Sequence, residues 1–175
     1  MQPDVSRTTS APPMSAALRS VAAAARRRAA RAGDAEVDTG HLLHSVLESD
    51  PEALAAAAPQ QRQAARLMGY LVQRSIGFGR DWRATAESRP PVRAANDRPG
   101  AVGRLFPSAA RPRWSCAAAA ALERVADRPV GLPVGLSLLA ALAAEPGCRA
   151  AQILRSAGID PAQVQARCAV VPQSA

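Results

Sequence analysis

A chain of 175 residues that is 48% apolar but only 3% aromatic can bury a real core, and must build it from Ala, Leu and Val. Its formal charge of +8 comes from 22 basic residues, all of them Arg, against 14 acids. The lack of any Lys excludes a P-loop lysine, a Schiff base and Ser–Lys chemistry. No apolar run approaches the roughly 18–20 residues of a membrane span.

Residues 1–14 carry one Arg and no apolar stretch, and are rich in Ser, Thr and Pro; they read as a disordered tail rather than a signal peptide. Ser15 opens an Ala/Arg helix that Gly33 stops after about Ala32. Thr39, or Asp38 beside it, caps a second helix in which Leu42, Leu43, Val46 and Leu47 share one face. Pro51 after Asp50 starts a short third helix to about Ala58. A fourth runs from Gln60 to about Ile76, ended by Gly77 and Gly79.

From about Arg83 to Arg113 the apolar periodicity dissolves among prolines and glycines, which predicts a linker. The basic character is concentrated here: residues 59–113 hold 11 Arg against Asp81, Glu87 and Asp97, and the rest of the chain is neutral. Order returns at Trp114-Ser115. Helices are predicted over 116–127, 135–144 and 148–157, and from Pro161 to about Ala169 with Asp160 as its cap. The expectation is an all-α fold of four helices (15–82), a basic linker (83–113) and four helices (114–170), with 171–175 frayed.

The two halves echo each other. Val37-Asp38-Thr39-Gly40-His41-Leu42-Leu43 corresponds to Val134-Gly135-Leu136-Ser137-Leu138-Leu139, and Asp50-Pro51 corresponds to Glu145-Pro146. A doubled helical unit of this size points to a repeat fold. Together with Trp114-Ser115, Ala121-Leu122-Glu123, Ala150 to Leu154 and Gly158-Ile159-Asp160-Pro161, these segments resemble the Clp N-terminal (Clp repeat) domain. That domain is the double four-helix module of Clp-type protein-unfolding ATPases. The resemblance covers about residues 14–76 and 114–170. It implies a pseudo-two-fold pair of repeats and a groove between them, with Met14, Trp114 and Ser115 placed to meet a peptide or cyclic peptide. Some members of the family receive phosphorylated arginine on motif glutamates. Here those positions are Gly40 and Leu136, so the acidic partner that a guanidinium requires is missing. The chain contains no GxxxxGK[ST] and hence no P-loop ATPase motif.

The resemblance implies a non-catalytic binding module, acting as adaptor, competitor or decoy around a Clp protease system, with no cofactor and no metal. Thr39, His41, Leu42, Leu43 and Asp160 are motif residues with structural roles. Thr39 is expected as a helix cap and His41 as a packed residue; with His44 it offers only half a metal site. Trp114 reads either as a staple on the chain or as a ligand contact. Two other function classes stay open. Arg74, Arg80 and Arg83 around Gly77-Phe78-Gly79 and Trp82 form a basic surface for a nucleic-acid-associated regulator. A small-molecule pocket where the glutamates were lost is the other. Cys116, Cys148 and Cys168 lack ligand spacing and are expected as buried small residues in a reducing cytoplasm.

Overall fold

The computed structural model describes residues 14–75, 87, 112–127 and 133–170. They are mostly helical. Eight helices are described: α1 (Ala16–Ala32), α2 (Thr39–Ser49), α3 (Pro51–Ala57), α4 (Gln61–Ser75), α5 (Cys116–Ala126), α6 (Val134–Ala143), α7 (Arg149–Ser156) and α8 (Pro161–Val170). Two short strands, β1 (Glu36–Val37) and β2 (Arg113–Trp114), pair in parallel. No pattern in the sequence announces them, because two residues are too few to show a period of two.

The helix ends are set by local chemistry. The Ser15 hydroxyl accepts from the Leu18 N–H at 3.2 Å, and the Ser115 hydroxyl accepts from Ala118 N–H at 3.1 Å. Gly33, at φ 71°, turns the chain out of α1, so that the Asp34 N–H returns to the Ala29 carbonyl at 2.9 Å. Only glycine adopts that left-handed region without steric penalty. Asp50 caps α3 through Oδ1, which accepts from Glu52 and Ala53 N–H at 2.9 and 3.1 Å. Asp160 opens α8, accepting from Ala162 N–H at 3.0 Å.

One correction concerns α2. Its cap is Asp38, whose carboxylate accepts from the His41 N–H at 3.0 Å, while the His41 ring returns to the Asp38 backbone N–H at 3.2 Å. Thr39 is the first helical residue and its hydroxyl serves elsewhere. A second correction concerns burial. The sequence pattern gives α2 one apolar face, yet every residue from Thr39 to Leu47 is buried. The reason is position: α2 and α6 lie at the centre and the other helices surround them.

The packing partners are specific. α2 packs on α6; α2 also meets α5 and α7, whereas α6 meets α1 and α3. Across the periphery α3 lies on α8 and α4 on α7. A single hydrophobic cluster runs through both halves, with Leu42, Leu43, Leu138 and Leu139 fully buried. Small residues let the helices close in: Ala25, Ala29, Ala53, Ala57, Ala118, Ala150 and Ala151 are all inaccessible. Arg167 adds a polar tie, its guanidinium donating to the Ala56 and Ala57 carbonyls at the open end of α3 at 2.6 and 3.1 Å.

The two halves approach closely at Gly135, in the first turn of α6. A Cβ there would overlap the Asp50 carboxylate and lie 2.7 Å from its Cγ. Gly135→Ala is therefore expected to destabilise by about 1–3 kcal/mol, the usual cost of overpacking. Gly69, exposed in the middle of α4, has open space around its Cα. Gly69→Ala is expected to stabilise by about 0.5–1 kcal/mol through helix propensity alone. Urea unfolding of the two variants should move in opposite directions.

Candidate functional site

The most polar part of the interior is where the N-termini of α2, α5 and α7 converge on one carboxylate, Glu87, itself only 5% exposed. Oε2 accepts from the Thr39 backbone N–H at 2.9 Å and from the Ser115 hydroxyl at 3.0 Å. Oε1 accepts from the Thr39 hydroxyl and from the Arg149 backbone N–H. Each oxygen thus receives two donors, the full capacity of a carboxylate. Two of the donors are first-turn backbone N–H groups of α2 and α7, where helix dipoles favour negative charge.

The donors are fixed by other bonds. The Thr39 hydroxyl accepts from Ala150 N–H at 2.9 Å, tying α2 to α7. Ser115 follows β2, and its N–H donates to the Val37 carbonyl at 3.0 Å, which docks the start of α5 beside the start of α2. Cys148 caps α7 weakly: its sulfur accepts from Ala151 N–H at 3.4 Å and donates to the Leu142 carbonyl at 3.2 Å. Sulfur is a poor acceptor, so Glu87 supplies the anion that this helix start lacks.

Arg149 is buried beside the same cluster, with Nε 3.6 Å from Asp38 Oδ2. Asp38 in turn lies against His41, whose other nitrogen is 3.1 Å from Asp34. His41 therefore bridges Asp38 and Asp34 at the head of α2. His44, also buried, faces Arg28 at 3.4 Å, and Arg28 reaches Ser45 at 3.1 Å and Glu48. Burial, with Arg31 and Arg27 nearby, lowers the Arg28 pKa from its ordinary value. The two histidines face different partners, and among the described residues no group of three or more His, Cys, Asp or Glu could hold a metal.

The expected groove residues are placed differently from one another. Ser115 faces inward, its hydroxyl occupied by Glu87 and by the α5 cap, so it presents no open ligand contact. Trp114 is half-buried in β2, with the exposed Arg26 guanidinium 4.9 Å from its ring centroid, a cation–π arrangement. Met14 packs partly buried against the core, and its carbonyl accepts from Arg19. Leu42 and Leu43 are core, and Asp160 caps α8. Arg74 sits in α4, but its side chain lies outside the described residues, as do Arg80, Arg83 and the Gly77–Trp82 turn. A cleft of about 560 Å³ opens between the end of α6 and the α7–α8 turn, lined by Ala143, Pro146, Arg155, Ile159, Pro161 and Gln165 among others; it contains none of the three expected groove residues.

Two central residues, Glu87 and Arg149, were not anticipated from sequence. Glu87 is one of three acids in an Arg-rich stretch, and nothing local marks it from its neighbours. Arg149 opens a helix, where an Arg ordinarily faces water. Cys148 and Cys168 are buried as expected, but Cys116 is exposed at the first position of α5.

Comparison with protein-family models, with curated proteins and with solved structures finds no match for this chain.

Removing the Glu87 carboxylate leaves two backbone N–H groups that cannot rotate away. At about 1–3 kcal/mol for each orphaned donor, Glu87→Ala should cost about 2–6 kcal/mol, read by urea denaturation. Glu87→Gln should cost about 1–3 kcal/mol, because its amide NH₂ meets a backbone N–H on either side. Burial raises the thiol pKa of both Cys148 and Cys168. In the native protein at pH 8, a thiol reagent should modify Cys116 rapidly, and the other two only at the rate of unfolding.

Proposed function

We propose that the chain is a non-catalytic protein- or peptide-binding module built from two Clp-like four-helix repeats, acting as adaptor, competitor or decoy around a Clp unfoldase–protease system. The observation that carries this reading is the exchange of helix partners when each helix is replaced by the one four places along. α2 packs on α7 as α6 packs on α3, α3 on α8 as α7 on α4, and α1 on α6 as α5 on α2. The two central helices meet each other, as elements beside a pseudo-two-fold axis must. The opening caps also agree: Ser15 has φ −58°, ψ 155° and Ser115 has φ −63°, ψ 155°.

The binding face in this reading is narrower than the sequence implied. Ser115 is withdrawn into the Glu87 cluster, which leaves Trp114, Arg26 and Met14 as the contact set. A half-buried tryptophan beside an exposed guanidinium suits an aromatic or acidic segment of a partner. The positions aligned with the family's phosphoarginine-reading glutamates do not supply that chemistry. Gly40 carries no side chain, and Leu136 is part of the core. A partner recognised through phosphorylated arginine is therefore not what this module selects.

The test is a titration of the purified chain against a Clp unfoldase ATPase, and against cyclic peptides that bind Clp N-terminal domains. Trp114 fluorescence is followed in a Trp82→Phe background. Saturable binding is expected, weakened at least tenfold by Arg26→Ala and abolished, when read by calorimetry, by Trp114→Ala. Absence of binding to every one of these partners overturns the reading. Salt-sensitive retention on single-stranded DNA instead would favour the nucleic-acid alternative.

A further inference from the structure

The Glu87 cradle has the properties of a receptor rather than of an ordinary buried ion pair. Its four donors come from three helices, α2, α5 and α7, that lie 28 to 62 residues from Glu87 in sequence. Each donor is held by something other than Glu87. Ser115 is fixed by capping α5, the Thr39 hydroxyl by the bond it accepts from Ala150, and the two N–H groups by the first turns of their helices. The donors fall two to each oxygen, which matches a planar carboxylate. Each donor thus has an anchor besides Glu87, and the occupant is the side chain of a residue from a different part of the chain.

We infer that this junction is a carboxylate-binding site whose ligand in the free protein is the chain's own Glu87, and that it accepts a free carboxylate once that side chain is removed. The ligand class is a small terminal carboxylate: formate or acetate as probes, and an acidic side chain or chain terminus as the natural chemistry. Glu87 keeps the cradle filled and nearly sealed from water, so any external carboxylate binds by replacing it. The effective concentration of a side chain already in the chain makes Glu87 the stronger competitor. The inference stands on the cradle alone, and does not depend on the peptide-binding reading.

The experiment is a rescue measurement on full-length Glu87→Ala. Its thermal midpoint is followed with increasing sodium formate and acetate, against sodium chloride at equal ionic strength and against sulfate as a tetrahedral anion. The expected result is a saturable rise of several degrees with formate, larger than with chloride or sulfate. Wild-type protein should show only the chloride response. Adding Thr39→Val to Glu87→Ala should reduce the formate response at least threefold, since that hydroxyl supplies one of the cradle's four bonds and is itself held by Ala150 N–H. A Glu87→Ala response to formate no greater than to chloride overturns the inference, as does an equal response in wild-type protein. Should Glu87→Ala be unfolded in chloride, the same anions are compared by refolding. Recovery of the helical circular-dichroism signal in formate but not in chloride supports the site, and failure of saturating formate to restore it overturns the site.

Discussion

Helix N-termini that meet inside a protein must find negative charge or pay for bare N–H groups, and this constraint organises the molecule. Two carboxylates show the two ways of answering it. Asp50 caps α3 and lies against the first turn of α6. Glu87 serves the starts of α7 and α2. In the first case the carboxylate belongs to the helix it caps. In the second, the position beside α7 is Cys148, a weak acceptor, and the anion comes from a distant residue. The unequal chemistry of the two junctions follows from that one difference in sequence.

The central pair α2 and α6 depends on these junctions. A helix buried all round, as α2 is, has no water at its first turn to take up the free N–H groups. Asp38, His41, Thr39 and Glu87 together replace that water. The apolar side chains can then pack without leaving polar groups stranded beneath them. Small residues complete the arrangement, because Ala along α1, α3, α5 and α7 lets backbones approach closely enough for the polar contacts to form. The hydrophobic core and the polar junction are thus mutually dependent.

The chemistry around β2 divides between an outside and an inside. Trp114 and Arg26 form an aromatic–cation pair, with the Trp114 ring half-buried and Arg26 exposed. Ser115, the next residue, is turned into the interior cluster. One residue of strand and one of cap separate the two environments. The parallel pairing of β1 with β2 sets that boundary by fixing which way each side chain points.

The sequence by itself determined the helices and most of their ends, because those signals are local. Ser15, Gly33, Asp50 with Pro51, Ser115 and Asp160 act within a few residues of where they stand. It also determined that Ala and Leu would form the core, since few large side chains are available. What it could not show is anything that joins distant positions. Thr39 reads as a cap until the fold brings Ala150 and Glu87 to its hydroxyl and leaves the capping to Asp38. Nothing local in the sequence marks Arg149, which the fold buries beside Asp38 at the head of α2. Glu87 reads as one acid in a basic linker until three helix starts converge on it. The reason is physical: a hydrogen bond across 48 or 62 residues leaves no periodicity in the chain, and only tertiary packing decides which donors share an acceptor.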